Sequence, residues 1–81
     1  MKLRLVEIRW VDAEEEAGWS RDDPKEKEVI MKTYGLLVRR DKKWVVHANT
    51  YCPNSTHPWG GKGKIPAGMV RSVKTIKTVD V

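Results

Sequence analysis

KLRLVEIRW, from Lys2 to Trp10, alternates apolar and polar positions, with a slip of phase at Leu5–Val6. Leu3 and Leu5 fall on one face of an extended chain, and Val6, Ile8 and Trp10 on the next phase. This predicts a first strand that either carries a bulge or has both faces partly covered. DAEEEAGWS follows, a short helical turn with Asp12 as N-cap, Glu15 at its third position and Gly18 as its end. Arg21 to Lys25, with Asp-Pro inside, is an exposed loop. From Val29 the pattern turns to β. In VIMKTYGLLV the apolar face is Ile30, Tyr34, Leu36 and Val38, interrupted by Lys32. RRDKK makes a polar turn, and Trp44, Val46 and Ala48 resume the alternation, leaving Val45, His47 and Asn49 on the other side. Residues 34–38 and 44–48 therefore form a hairpin. Beyond the turn-rich NSTHPWGGKG come a short strand at Lys64-Ile65 and a type I turn over Ile65-Pro66-Ala67-Gly68. MVRSVKTIKTV, rich in Val, Ile and Thr, closes the chain as a final strand or two.

Five or six short strands in 81 residues predict one domain, 1–81, of the all-β class with at most one helical turn. A small SH3-like or OB-like partly open antiparallel barrel limits the exposed edges of such a sheet. The lone Cys52 excludes an intrachain disulfide and suits a reducing cytoplasm. No apolar run approaches the ~18 residues of a membrane span, and MKLRLVEIRW has no signal-peptide core, so a cytoplasmic protein without membrane contact is expected.

Net charge is +5, unevenly distributed. Residues 12–28 carry eight acids against three bases, whereas residues 29–81 carry ten bases against two acids. A basic body attracts anions, although such charges also serve solubility alone. The balance excludes an acidic mimic of DNA.

HPWGGKGKIPAG, residues 57–68, gathers glycines, lysines and an aromatic ring. It is no P-loop: a glycine would be needed at Pro58, and Ile65-Pro66 cannot open the required helix. Gly60-Gly61-Lys62-Gly63 matches the G-x-x-G of KH domains without the flanking helices. Two readings stand. One is a glycine-rich hairpin loop with Trp59 folded over a thin core. The other is an anion-binding loop in which Gly60 and Gly61 offer backbone N–H groups, Lys62 and Lys64 add charge, and Trp59 and His57 stack on a base. Arg39 and Arg40 at the hairpin tip could contact phosphates, and Trp19, in a loop, is either a lid or a stacking platform. Trp10 and Trp44 are expected in the core. Asp12 is an N-cap or a partner for a base edge or ribose.

Catalysis is the weaker expectation. His47, Cys52 and His57 could contribute three zinc ligands, but a structural site usually wants four, and no metal or cofactor is expected. His47 and His57 with a lysine could in principle act as acid and base. No nucleophile motif accompanies them, and Glu14-Glu15-Glu16 is a solvated run.

The order of RWVDAEEEAGW, YGLLVRRDKKWVVHANTYC and KIPAGMVRSVKTI resembles a group of short β proteins encoded by phages and prophages. The matching positions are Trp10, Asp12, Gly18, Trp19, Gly35, Ile65 and Pro66, while Pro53 to Gly63 falls where such proteins vary. The resemblance implies phage origin and no particular activity. By analogy of class, small phage proteins that counter host defence include oligomeric sponges for nucleotide signals. The leading expectation is thus a non-enzymatic homo-oligomer in the host cytoplasm that binds a nucleotide-like anion. A nucleic-acid-binding module and a module that inhibits a host protein are the alternatives.

Overall fold

A computed structural model describes residues 1–11 and 29–81 of the chain. The helical turn expected over Asp12–Gly18, the loop after it and Trp19 lie outside the described residues. Among the described residues there are seven strands, against the five or six expected: β1 (Lys2–Val11), β2 (Ile30–Arg40), β3 (Trp44–Ala48), β4 (Thr50–Tyr51), β5 (Trp59–Gly60), β6 (Gly63–Pro66) and β7 (Val70–Asp80). Five form one antiparallel sheet in the order β6-β3-β2-β1-β7, and β4 and β5 pair as a separate ribbon. A 3-10 turn, Ala67–Met69, carries the chain from one edge strand of the sheet to the other. Only a strongly bent sheet lets three residues make that step. The result is a small all-β fold built on a five-stranded antiparallel sheet that is not closed.

The β2–β3 hairpin forms as expected, with Leu36 opposite Ala48 and Leu37 opposite His47. Its three-residue loop is held by Asp41, whose Oδ1 accepts from the N–H groups of Lys43 and Trp44, both at 2.8 Å. Those two bonds, and then Arg39, hold the Asp41 carboxyl below the usual carboxylate range.

Cross-strand partners share a face of a sheet, so the register sorts the side chains. One face buries Val6, Ile8, Val45 and Ile65, with Trp10, Leu37, Met69, Val70 and Val73 packed against them. Trp10 donates its indole N–H to Thr33 Oγ1 at 2.9 Å. The opposite, outer face is buried at Leu3 and Ala48 towards one end, and at Val11 where β1 ends. The β4–β5 ribbon reaches the N-terminus near Leu3, through the Tyr51 hydroxyl and Met1 Sδ, 3.4 Å apart.

Several expectations are corrected. The core face of β2 is Thr33, Gly35 and Leu37, not the even series, and Ile30 and Tyr34 are exposed. Gly35 is the reason: a Cβ there would stand 2.9 Å from the Ala48 carbonyl oxygen, so β3 comes in close where no side chain announces a core. On β3, Val45 is buried on the core face, and Trp44 is half-buried on the other. Pro66 is not the second residue of a type I turn. Its ψ of 130° keeps it extended, paired with Trp44 on an edge strand, where a missing N–H is tolerated, and the turn follows one residue later. The last segment is a single strand of eleven residues.

β1 itself carries no bulge and buries apolar side chains on both faces; beside the slip at Leu5–Val6 the extra residue lies on β7. Leu5 faces Lys77 and Val6 faces Thr75, leaving Ile76 unmatched, while the β1–β2 register runs unbroken. A second irregularity leaves Arg71 unmatched, and a third, on β2, leaves Val38 unmatched, because Leu37 faces His47 and Arg39 faces Val46. Each inserted residue turns the side chains after it to the other face.

Candidate anion-binding groove

The Val38 bulge has a direct effect on charge. In an unbroken strand Arg39 would share a face with Leu37, over the core; instead it stands opposite Val46 on the outer face. Val46 is also the partner of Lys64 on β6. Arg39 and Lys64 thus flank one valine from opposite sides, and Lys62 enters just before β6. Together with Val38 and Gly63 these residues line an open groove of about 360 Å³.

The three cations differ in freedom. Arg39 Nε lies 3.0 Å from Asp41 Oδ2, a solvent-exposed pair that leaves the outer guanidinium nitrogens available. Lys64 Nζ sits 4.3 Å from the centre of the Trp44 ring, a cation–π contact that holds the ammonium near the rim. Lys62 makes no ion pair with any described residue. One carboxylate among three cations leaves the groove positive, and the two valines give it an apolar floor. Phosphate oxygens above an aromatic or sugar body fit that combination.

Gly63 is needed at the groove wall. A Cβ on it would meet the His47 ring at 2.7 Å, so the imidazole lies against bare backbone. Partial burial pushes the His47 pKa below its ordinary value of 6.5. A depressed histidine pKa means that the unfolded chain takes up the proton first as pH falls. The His47 contribution to stability is complete above pH 6.5 and is lost as pH falls from there through the folded value. An NMR titration should place His47 below 6.5, and His47→Gln should flatten the loss of stability between pH 7 and pH 5.

Of the residues singled out in the sequence, the groove unites Arg39, Lys62 and Lys64. Arg40 pairs with Val45 and points away from it. Trp59 is half-buried in the β4–β5 ribbon, its ring centre 4.9 Å from that of Tyr51 at a tilt of 55°. Gly60 accepts the Asn49 N–H through its carbonyl at 3.1 Å. Gly61 has a φ of 63°, which a glycine adopts without strain, and its Cα lies against the Asn49 side chain. His57 is exposed in a turn closed by Ser55, whose Oγ accepts the His57 N–H at 3.0 Å. Asp12 and Trp19 lie outside the described residues. His47, Cys52 and His57 do not converge, and among the described residues no three His, Cys, Asp or Glu side chains form a metal-ligand group. Val38 and Val46, the groove floor, carry no signal in the sequence, because their placement follows from the bulge.

Among the described residues no helix is long and apolar enough to cross a membrane. Compared with protein-family models, with curated proteins and with solved structures, the chain matches none of them.

Proposed function

We propose that this protein binds a nucleotide-type phosphate ligand in the groove between the end of β2, β3 and β6, and sequesters it without converting it. The observation that supports this reading is the convergence of Arg39, Lys62 and Lys64 on the Val38–Val46 floor. Arg39 offers a planar pair of donors, and the two lysines act as point charges around the same phosphates. The groove is open on one side, so a ligand held there remains reachable by a second copy of the chain, which fits a homo-oligomer that encloses its ligand between subunits. In a phage-encoded protein of the kind this chain resembles, the ligand is a nucleotide signal of host defence, withheld from its receptor in the host cytoplasm.

Calorimetry against cyclic dinucleotides, cyclic trinucleotides and cyclic ADP-ribose isomers tests the proposal. At least one should bind and be recovered chemically unchanged. Each charged hydrogen bond is worth about 1.5–3 kcal/mol, so Lys62→Gln and Lys64→Gln should each weaken binding about tenfold or more. Arg40→Gln, away from the groove, should change it little. Absence of heat with every ligand, or equal losses from Arg40→Gln and Lys62→Gln, overturns the assignment.

A further inference from the structure

The outer face carries a second cationic cluster, on β1, β2 and β7, that the groove does not use. Arg9 stands opposite Lys32 on β2, and Glu7 stands between Tyr34 on β2 and Lys74 on β7. Leu5, two residues along, faces Lys77. Lys74 and Lys77 are three apart and would lie on opposite faces of a regular strand. The unmatched Ile76 between them brings both to the outer face, as Val38 does for Arg39. Lys32, Lys74 and Lys77 are exposed, and none makes an ion pair with a described residue.

Tyr34 lies among these cations with 56% of its surface exposed. Its hydroxyl donates to Glu7 Oε2 at 2.7 Å, and Arg9 Nε donates to Glu7 Oε1 at 2.9 Å. These bonds hold the Glu7 carboxyl below the usual range and push the Tyr34 phenol up. Glu7, the only acid of the cluster among the described residues, is therefore spent on orienting a guanidinium and an aromatic ring. A large ring fixed in solvent between unpaired lysines stabilises no core.

We infer that this outer face binds single-stranded nucleic acid, with Tyr34 stacking on a base and Arg9, Lys32, Lys74 and Lys77 contacting phosphates. The cations are spread over three strands of an open face, so a long polyanion can meet them together and a mononucleotide cannot. The exposed ring among them selects a strand with bases over other polyanions. The inference does not depend on the groove: either can fail while the other stands.

Fluorescence anisotropy of a labelled 15-residue oligo(dT) with the whole protein, at 50 mM and 200 mM salt, tests it, with heparin as competitor. Binding should weaken steeply with salt, as phosphate contacts release counterions. Lys74→Gln with Lys77→Gln should cost about tenfold or more at 50 mM and reduce the salt dependence. Tyr34→Leu should cost about 5- to 100-fold, while Tyr34→Phe, which keeps the ring, should bind nearly as wild type. Lys62→Gln with Lys64→Gln should alter oligo(dT) binding by less than about threefold, because the groove is elsewhere on the sheet. All the substituted side chains are exposed, so circular dichroism should show unchanged folding. No binding at 50 mM, binding insensitive to Tyr34→Leu, or loss through Lys62 and Lys64 instead would overturn the assignment.

Discussion

Replacing Ile8 by alanine should cost about 2–5 kcal/mol of folding stability. Ile8 is fully buried on β1, between Thr33 on β2 and Val73 on β7, within the cluster of Val6, Val45 and Ile65. Four hydrophobic side chains form the buried heart of this cluster, so few neighbours can move in to fill the space of a lost sec-butyl group. At about 0.05–0.15 kcal/mol per residue, a domain of this size has only about 4–12 kcal/mol in all. Urea unfolding followed by tryptophan fluorescence should show a much lower midpoint with an unchanged slope. Ile76→Ala is the matched control. Ile76 is equally apolar but half exposed on the outer edge strand, and its loss should shift stability by about 0.5 kcal/mol or less. Equal effects of the two substitutions would mean that the core is not where the register places it.

Gly35→Ala should destabilise by about 1–3 kcal/mol, although alanine is ordinarily the better residue in a folded chain. The added Cβ would meet the carbonyl oxygen of Ala48 at 2.9 Å, and that oxygen belongs to the backbone of β3. Relief requires β3 to move away from β2, which strains the ladder at Leu36–Ala48 and Leu37–His47. Because β3 carries Val46, the same substitution should weaken nucleotide binding in the groove without touching a groove residue. Gly68→Ala provides the contrast: nothing lies within 4 Å of a Cβ there, and its φ is not in the left-handed region. That change should be neutral or raise stability by about 0.4–1 kcal/mol, through a less disordered unfolded chain. Amide NMR spectra would localise the Gly35→Ala perturbation to β2 and β3. A uniform shift over the whole sheet would contradict this account.

Both sites show why the hydrophobic pattern led partway. The β2–β3 hairpin was legible because two alternating runs flank a charged turn, and Asp41 supplies the turn with its acceptor. The slip at Leu5–Val6 left open a bulge in the first strand or two covered faces; β1 runs without an extra residue and is buried on both faces, at Leu3 and Val11 as at Val6 and Ile8. On β2, however, alternation pointed to Ile30, Tyr34, Leu36 and Val38, while the core lies over Thr33, Gly35 and Leu37. A glycine and a threonine hide a buried face from any count of apolar residues. At the candidate groove, Lys62 and Lys64 stood out through their glycine neighbours and Arg39 through the charged hairpin tip. Nothing local separated Arg39 from Arg40; the Val38 bulge did so by turning one outward to Val46 and leaving the other opposite Val45. Trp59 had the composition of a stacking platform, yet Tyr51, eight positions earlier, takes up its ring.

Residue order by itself determined the all-β class, the hairpin and a basic body suited to anions. These follow from local rules: period-two alternation, turn chemistry and the count of charges. Tertiary structure decided which face of each strand is the core and which cations stand together. The reason is that a bulge exists only between two strands. Val38 and Ile76 are unmatched relative to β3 and β1, and nothing in their own segments marks them. Each shifts the chain by one residue, and a shift of one moves a charge from one side of the sheet to the other.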